Sequence, residues 1–112
     1  EVPRDVVSFF QIDPNDQGGR LRLVLIGAGT AWTKSFMAYY ARNSMWRINL
    51  DTDIPQVAAR TLRGRFIRLR RTAQPHTYEF NVSTADAILA LRTASRALGN
   101  VRTTPSREYG WV

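Results

Sequence analysis

The segment Arg20 to Trp32, RLRLVLIGAGTAW, constrains the fold more than any other stretch. Leu21, Leu23 and Leu25 fall on one side. Arg20 and Arg22 start the other, with Val24 and Ile26 beyond them. A period of two marks a strand with one buried face. The run stops at Gly27-Ala28-Gly29, where glycine permits the positive φ of a tight bend. The glycines either join two strands or form the phosphate-cradling turn of a dinucleotide-binding βαβ unit.

The order of patterns fits the second reading in outline. A candidate helix over Trp32–Arg42 follows the glycines, then a strand over Met45–Leu50, then Asp51 where a ribose-binding carboxylate would stand. Three features oppose it. Trp32 occupies the third glycine position, which needs a small residue. Trp32–Arg42 lacks a clean apolar stripe and holds adjacent Tyr39 and Tyr40. The chain after Asp51 is too short for the remaining parallel strands and a substrate site. The bend between strands is the favoured reading.

The rest of the chain repeats the strand pattern. Val6–Ile12, VVSFFQI, is rich in β-branched and aromatic residues and predicts a strand. Across the turn signal DPNDQGG it would pair with Arg20–Ile26 as a hairpin. Lys34–Arg42 reads as a strand with Phe36, Ala38 and Tyr40 on one face, or as a helix with Phe36, Met37, Tyr40 and Ala41 on one stripe; its aromatics favour the strand. Met45–Leu50 places Trp46, Ile48 and Leu50 inward, Arg47 and Asn49 outward. Acidic and threonine caps before Pro55 predict a short helix over Pro55–Leu62. Arg63–Arg71, RGRFIRLRR, predicts a strand with a basic, solvent-facing side. Thr77–Val82 alternates again, with Tyr78, Phe80 and Val82 inward. Ser83, with Asp86 three residues on, opens the clearest helix. Its apolar face is Ala85, Ile88, Leu89, Leu91 and Leu98, and Gly99 closes it. Near the end, Tyr109 and Trp111 predict docking on the chain's own core or on a neighbouring subunit.

Charge points to the partner. Sixteen Lys and Arg oppose nine Asp and Glu, for a net charge of +7. All are arginine except Lys34. Arginine grips phosphate bidentately and stacks on bases, and a strongly basic domain with clustered arginine carries the footprint of a nucleic-acid binder. The outward face is predicted to present Arg20, Arg22, Arg47, Arg63, Arg65, Arg68 and Arg70 to phosphates, with Lys34, Trp32 and Tyr39 beside them for charge and base stacking. With hydrophobic residues at 44% and charged ones at 22%, the 112 residues suffice for one folded domain, 1–112.

Other chemistry finds little support. There is no cysteine, hence no disulfide or thiolate site. His76 sits in a turn signal, AQPHT. Asp51 and Asp53 read as caps of the following helix rather than cation ligands. No catalytic constellation, cofactor or metal is expected, and no apolar run approaches the roughly 18 residues of a membrane span. Glu1 stands where a nascent chain has Met, so the sequence reads as processed or excised, and no signal peptide or targeting segment is visible in it.

FFQIDPNDQGGRLRLVLIGAGTAWTKSFM resembles the opening of a Pur-alpha-type repeat: aromatic strand, polar turn, Gly-Arg-aliphatic strand, glycine bend, then a Lys-Ser-led strand. AWTKSFMAYYAR is similar to the third strand of the Whirly proteins, and YEFNVSTADAILALRTASRALG resembles their final strand and long helix. Among proteins of that fold, the kinetoplastid mitochondrial guide-RNA-binding proteins match the charge best. The resemblance implies a tetramer, intracellular and mitochondrial, that holds single-stranded RNA on a basic sheet face and promotes annealing during RNA editing.

The expectation is thus an α+β domain: a curved antiparallel sheet with a C-terminal helix packed on one face. It is predicted to bind single-stranded RNA or DNA with little sequence preference and to associate, with itself or another chain, through the helix and tail. Two other readings remain open: a pleckstrin-homology-like adaptor for phosphoinositides or a protein partner, and the Rossmann-like dinucleotide-binding fragment.

Overall fold

Strand β1 (Arg20–Gly27) turns back into β2 (Thr30–Tyr40) as an antiparallel hairpin. A computed structural model of the chain describes residues 1–95, 97–100 and 108–111. Ala28 and Gly29 both take positive φ, 49° and 77°, as the central pair of a type I′ hairpin requires. Gly27 is needed for another reason. A Cβ there would lie 2.9 Å from the Trp32 ring and 3.1 Å from the Phe80 carbonyl oxygen. The two glycines therefore serve a bend and a packed indole. A strand follows them, so no helix N-terminus is aimed at a phosphate there.

The hairpin belongs to a curved five-stranded sheet. Its order is β3-β2-β1-β5-β4, with β3 Met45–Asn49, β4 Phe66–Arg71 and β5 Thr77–Ser83. The α+β class holds, but the sheet is mixed rather than antiparallel. Strand β5 runs parallel to β1 through Val24 opposite Thr77, Leu25 opposite Tyr78 and Ile26 opposite Glu79. A parallel pair needs a crossover rather than a tight turn, so no local signal marks it.

The alternation of β1, β3 and β5 is realised as read. Leu23, Leu25, Trp46, Tyr78 and Phe80 are buried on one face with Met37 of β2. Arg20, Arg22, Arg47 and Glu79 are exposed on the other. Strand β2 obeys the same rule except at one place. Leu23 pairs with Ser35 and Leu25 with Trp32, so Val24 stands opposite both Thr33 and Lys34. This bulge inserts one residue and reverses the parity beyond it. It turns Trp32 inward, where strict alternation from Phe36 would place it outward.

The predicted strand Val6–Ile12 is instead a 3₁₀ helix, Arg4–Phe10. Pro3 favours a helical start because it has no N–H to leave unpaired. With three residues per turn, Val7 and Phe10 both point into the core, 0% and 5% exposed. The end of this helix is tied down from the sheet. Arg71 donates from Nε to the Phe9 carbonyl at 2.9 Å and from a terminal nitrogen to the Ser8 carbonyl at 3.0 Å. Its guanidinium lies 5.1 Å from the Phe9 ring centroid. Helix and sheet thus close one core between them, with Phe9 and Phe10 each 5.4 Å from the Tyr78 ring.

Both predicted α-helices are shorter than expected. Helix α1 covers Pro55–Ala58, not Pro55–Leu62, and Arg60 then adopts φ 56°. The helix predicted from Ser83 to Gly99 divides into a 3₁₀ turn, Ala85–Ala87, and α2, Ile88–Ala94. Ser95 is extended, and its Oγ accepts from the Trp111 N–H at 2.9 Å. A serine that bonds to backbone elsewhere competes with helix continuation. Strand β6 (Ala97–Asn100) then pairs antiparallel with β7 (Glu108–Trp111). Gly99 is no helix cap. It sits opposite Tyr109, and a Cβ there would meet the tyrosine ring at 2.6 Å. The tail docks on its own chain: the Trp111 ring lies 5.4 Å from Phe9, edge to face, and Tyr109 donates to the Asp5 carboxylate at 2.9 Å.

Candidate nucleic-acid interface

Because the 3₁₀ helix covers one face of the sheet, the predicted binding residues are sorted by which face they occupy. Register settles this. Arg20 is opposite Ala38 and Arg22 opposite Phe36, on the face away from the core. Ala38 is opposite Arg47 and Phe36 opposite Asn49, on that same face. Across the sheet, Arg68 is opposite Asn81 and Arg70 opposite Glu79. Five predicted arginines, Arg20, Arg22, Arg47, Arg68 and Arg70, therefore share the outward surface. Arg63 and Arg65 are exposed but stand in the loop before β4.

Two predicted aromatics lie on the opposite face. Tyr39 packs against the core with its ring 5.5 Å from Trp46. Trp32, expected beside the outward arginines, lies within β2, turned inward by the bulge, 6.2 Å from Phe80. Phe36 and Tyr40 take the outward places instead. The alternation had separated these two from Tyr39; deciding which set faces out required the register against Arg20 and Arg22.

Both outward aromatics of β2 are covered by a guanidinium. Arg20 lies 4.5 Å above the Phe36 centroid and Arg47 lies 5.9 Å from that of Tyr40. Asn49 donates from Nδ2 to the Tyr40 hydroxyl at 3.2 Å. Phe36 and Tyr40 are four residues apart on one strand, about 13 Å at strand rise. The face thus offers two arginine-over-ring platforms with cations around them. Each such pair is worth about 0.5–1 kcal/mol when exposed, so a stacked base can displace or cover the guanidinium at small cost.

Two of the cations already have carboxylate partners. Arg70 holds Glu79 at 2.7 Å and Lys34 holds Asp53 at 3.0 Å. In each case the hydrogen bond to the carboxylate, and then its charge, raises the pKa of the cation. Arg20, Arg22, Arg47 and Arg68 make no ion pair among the described residues. The acidic residues serve local structure. Asp51 is buried beyond the end of β3, where its carboxylate accepts the Lys34 backbone N–H at 3.0 Å and the Asp53 N–H at 2.8 Å. Its own N–H donates to Ser35 Oγ at 2.9 Å. His76 occupies a turn, and its N–H donates to Gln11 Oε1 at 3.1 Å. Among the described residues there is no cluster of three groups suited to a metal, and no helix long and apolar enough to cross a membrane.

Comparison of the chain with protein-family models, with curated proteins and with solved structures finds no match. The surface has to be interpreted from its own chemistry.

Proposed function

We propose that the outward sheet face binds single-stranded nucleic acid, RNA first, with little sequence preference. The observation that carries this reading is the grouping of Arg20, Arg22 and Arg47 around Phe36 and Tyr40, with Arg68 farther across the same exposed face. Phosphates meet the arginines, which fixes affinity but not sequence. Bases stack at Phe36 and Tyr40, a contact worth about 1–3 kcal/mol per base and open to any base. Asn49 supplies a donor and an acceptor beside Phe36, and Asn81 does so beside Arg68 farther across the same face. In this reading the protein acts without a cofactor, as an annealing or processing factor in a larger assembly, in keeping with the Whirly-like resemblance of its sequence. Leu89, 68% exposed on α2, is the point at which association through the helix would be made.

The test is fluorescence anisotropy of a labelled 20-mer RNA, its duplex and the matching DNA over a series of salt concentrations. Four free arginines predict a log–log salt slope of about −3 for a single strand. The single strand should bind more tightly than the duplex, because stacking requires open bases. A flat salt response, or equal binding of duplex, would overturn the reading. Binding to phosphoinositide vesicles with none to RNA would assign the same arginines to an adaptor role.

A further inference from the structure

Strand β4 ends the sheet and is its most basic strand. The opposite edge is protected: Val2 bridges to β3, donating its N–H to the Trp46 carbonyl at 2.8 Å. Among the described residues no backbone hydrogen bond reaches the outer side of β4. A cavity of about 420 Å³ lies beside that edge, within the range of about 300–1,000 Å³ typical of ligand pockets. Its walls are mainly apolar, drawn from Val6 and Phe9 of the 3₁₀ helix, Ile48 of β3, Leu91 of α2 and Trp111. All five residues from Phe66 to Arg70 line it. Successive strand residues point to opposite faces, so a continuous run of five means that the backbone edge itself borders the cavity.

We propose that an extended segment of a partner protein, alternating acidic and apolar residues, pairs with β4 as a sixth strand. The alternation of β4 dictates the pattern. Ile67 and Leu69 face inward, and Ile67 remains 41% exposed. Arg68 faces outward with no ion pair among the described residues, and Arg65 precedes the strand. Side chains of an added strand share these faces. Apolar residues enter the cavity beside Ile67 and Leu69, and carboxylates on the alternate positions meet Arg68. Charge selects this occupant over a second copy of the chain. Two β4 edges paired with each other would set arginine against arginine, and like charges directly opposite on paired strands repel.

The full chain is titrated against a fluorescein-labelled peptide of about nine residues alternating glutamate and valine, and against a lysine–valine peptide of equal apolar content. The glutamate peptide should bind and the lysine peptide should not. Arg68→Glu, a surface change, should weaken the glutamate peptide about tenfold and admit the lysine peptide. N-methylation of alternate peptide amides separates a backbone ladder from simple charge attraction. Methylation in one frame should abolish binding, and in the other frame leave it intact. No binding of the glutamate peptide, equal binding of both charge types, or indifference to both methylation frames would overturn the proposal. So would protection of the Phe66–Arg71 amides from hydrogen exchange by a 20-mer RNA but not by the glutamate peptide.

Discussion

Neighbouring residues of β2 carry two surfaces of different kinds. On the inward side, Met37 and Ser35 are fully buried, and Tyr39 and Trp32 pack on other rings. On the outward side, Phe36 and Tyr40 make no ring–ring contact among the described residues; the guanidinium groups of Arg20 and Arg47 lie over them, and Asn49 bonds the Tyr40 hydroxyl. The inward aromatics are held by close packing, which any loss of volume disturbs. The outward ones are held by weak, exchangeable contacts. The same strand therefore secures the fold with one set of side chains and leaves the other free to meet a ligand. If this division is right, substitutions on the two faces should separate stability from binding.

The largest effect is expected inward. Leu25 is 0% exposed at the centre of the sheet. Leu25→Ala should cost about 2–5 kcal/mol of folding stability, through lost transfer energy and the cavity left behind. Urea unfolding measures this. The RNA affinity of the molecules that remain folded should not change. A stability loss below about 1 kcal/mol would show that the core relaxes around the missing side chain.

Next comes the converse experiment outward. Arg20→Glu combined with Arg47→Glu should weaken RNA about tenfold per site at low salt, or roughly 2.7 kcal/mol together. It should lower folding stability by no more than about 1–2 kcal/mol, the worth of the two exposed arginine-over-ring pairs. Unchanged affinity would remove this face from the interface.

The sharpest contrast comes from adjacent aromatics and is smaller. Phe36→Ala should reduce RNA affinity by about 1–2 kcal/mol by removing one stacking platform, while stability falls by less than about 1 kcal/mol with the loss of the Arg20 contact. Tyr39→Ala should do the opposite, costing about 2 kcal/mol of stability from a half-buried ring and leaving affinity intact. If Tyr39→Ala weakened binding more than Phe36→Ala, the assignment of the two faces to fold and ligand would be reversed.

Much of this division is legible in the sequence, for a local reason. Trp46, Ile48, Tyr78 and Phe80 alternate with charged or polar residues, and a period of two specifies a face without knowledge of the neighbouring strand. The misplacements arise where structure is not local. Trp32 reads outward until the bulge opposite Val24 shifts the register. VVSFF has strand-forming residues, yet Pro3 and the three-residue spacing of Val7 and Phe10 make it a 3₁₀ helix against the sheet. The parallel pairing of β1 with β5 joins segments far apart in sequence. Gly99 looks like a helix terminator, but its missing side chain makes room for the Tyr109 ring on the paired strand. The arginines of the face were legible as a set. Which aromatics accompany them was not, because that depends on the pairing of β2 with β1.

The smallest effect at neutral pH concerns an inward residue with a polar atom. Tyr78 is 0% exposed, and its hydroxyl has no hydrogen-bond partner among the described residues. Removing a buried, unpaired hydroxyl should be close to neutral, so Tyr78→Phe should change stability at pH 7 by less than about 1 kcal/mol. The consequence appears in alkali. Burial pushes the Tyr78 hydroxyl up to about 12, with the Arg71 charge pulling it partly back. Below pH 10 both folded and unfolded chains hold this group neutral, and its contribution is complete. Between pH 10 and 12 the unfolded chain ionises it while the folded chain does not, so stability drains away as pH rises through that window. The phenylalanine variant has no such group to titrate. Urea midpoints at pH 8, 10 and 11 should therefore match at the first and diverge at the last, with the variant the more stable. Equal losses in the two proteins would mean that the hydroxyl reaches water, and that the inward face is looser at Tyr78 than at Leu25.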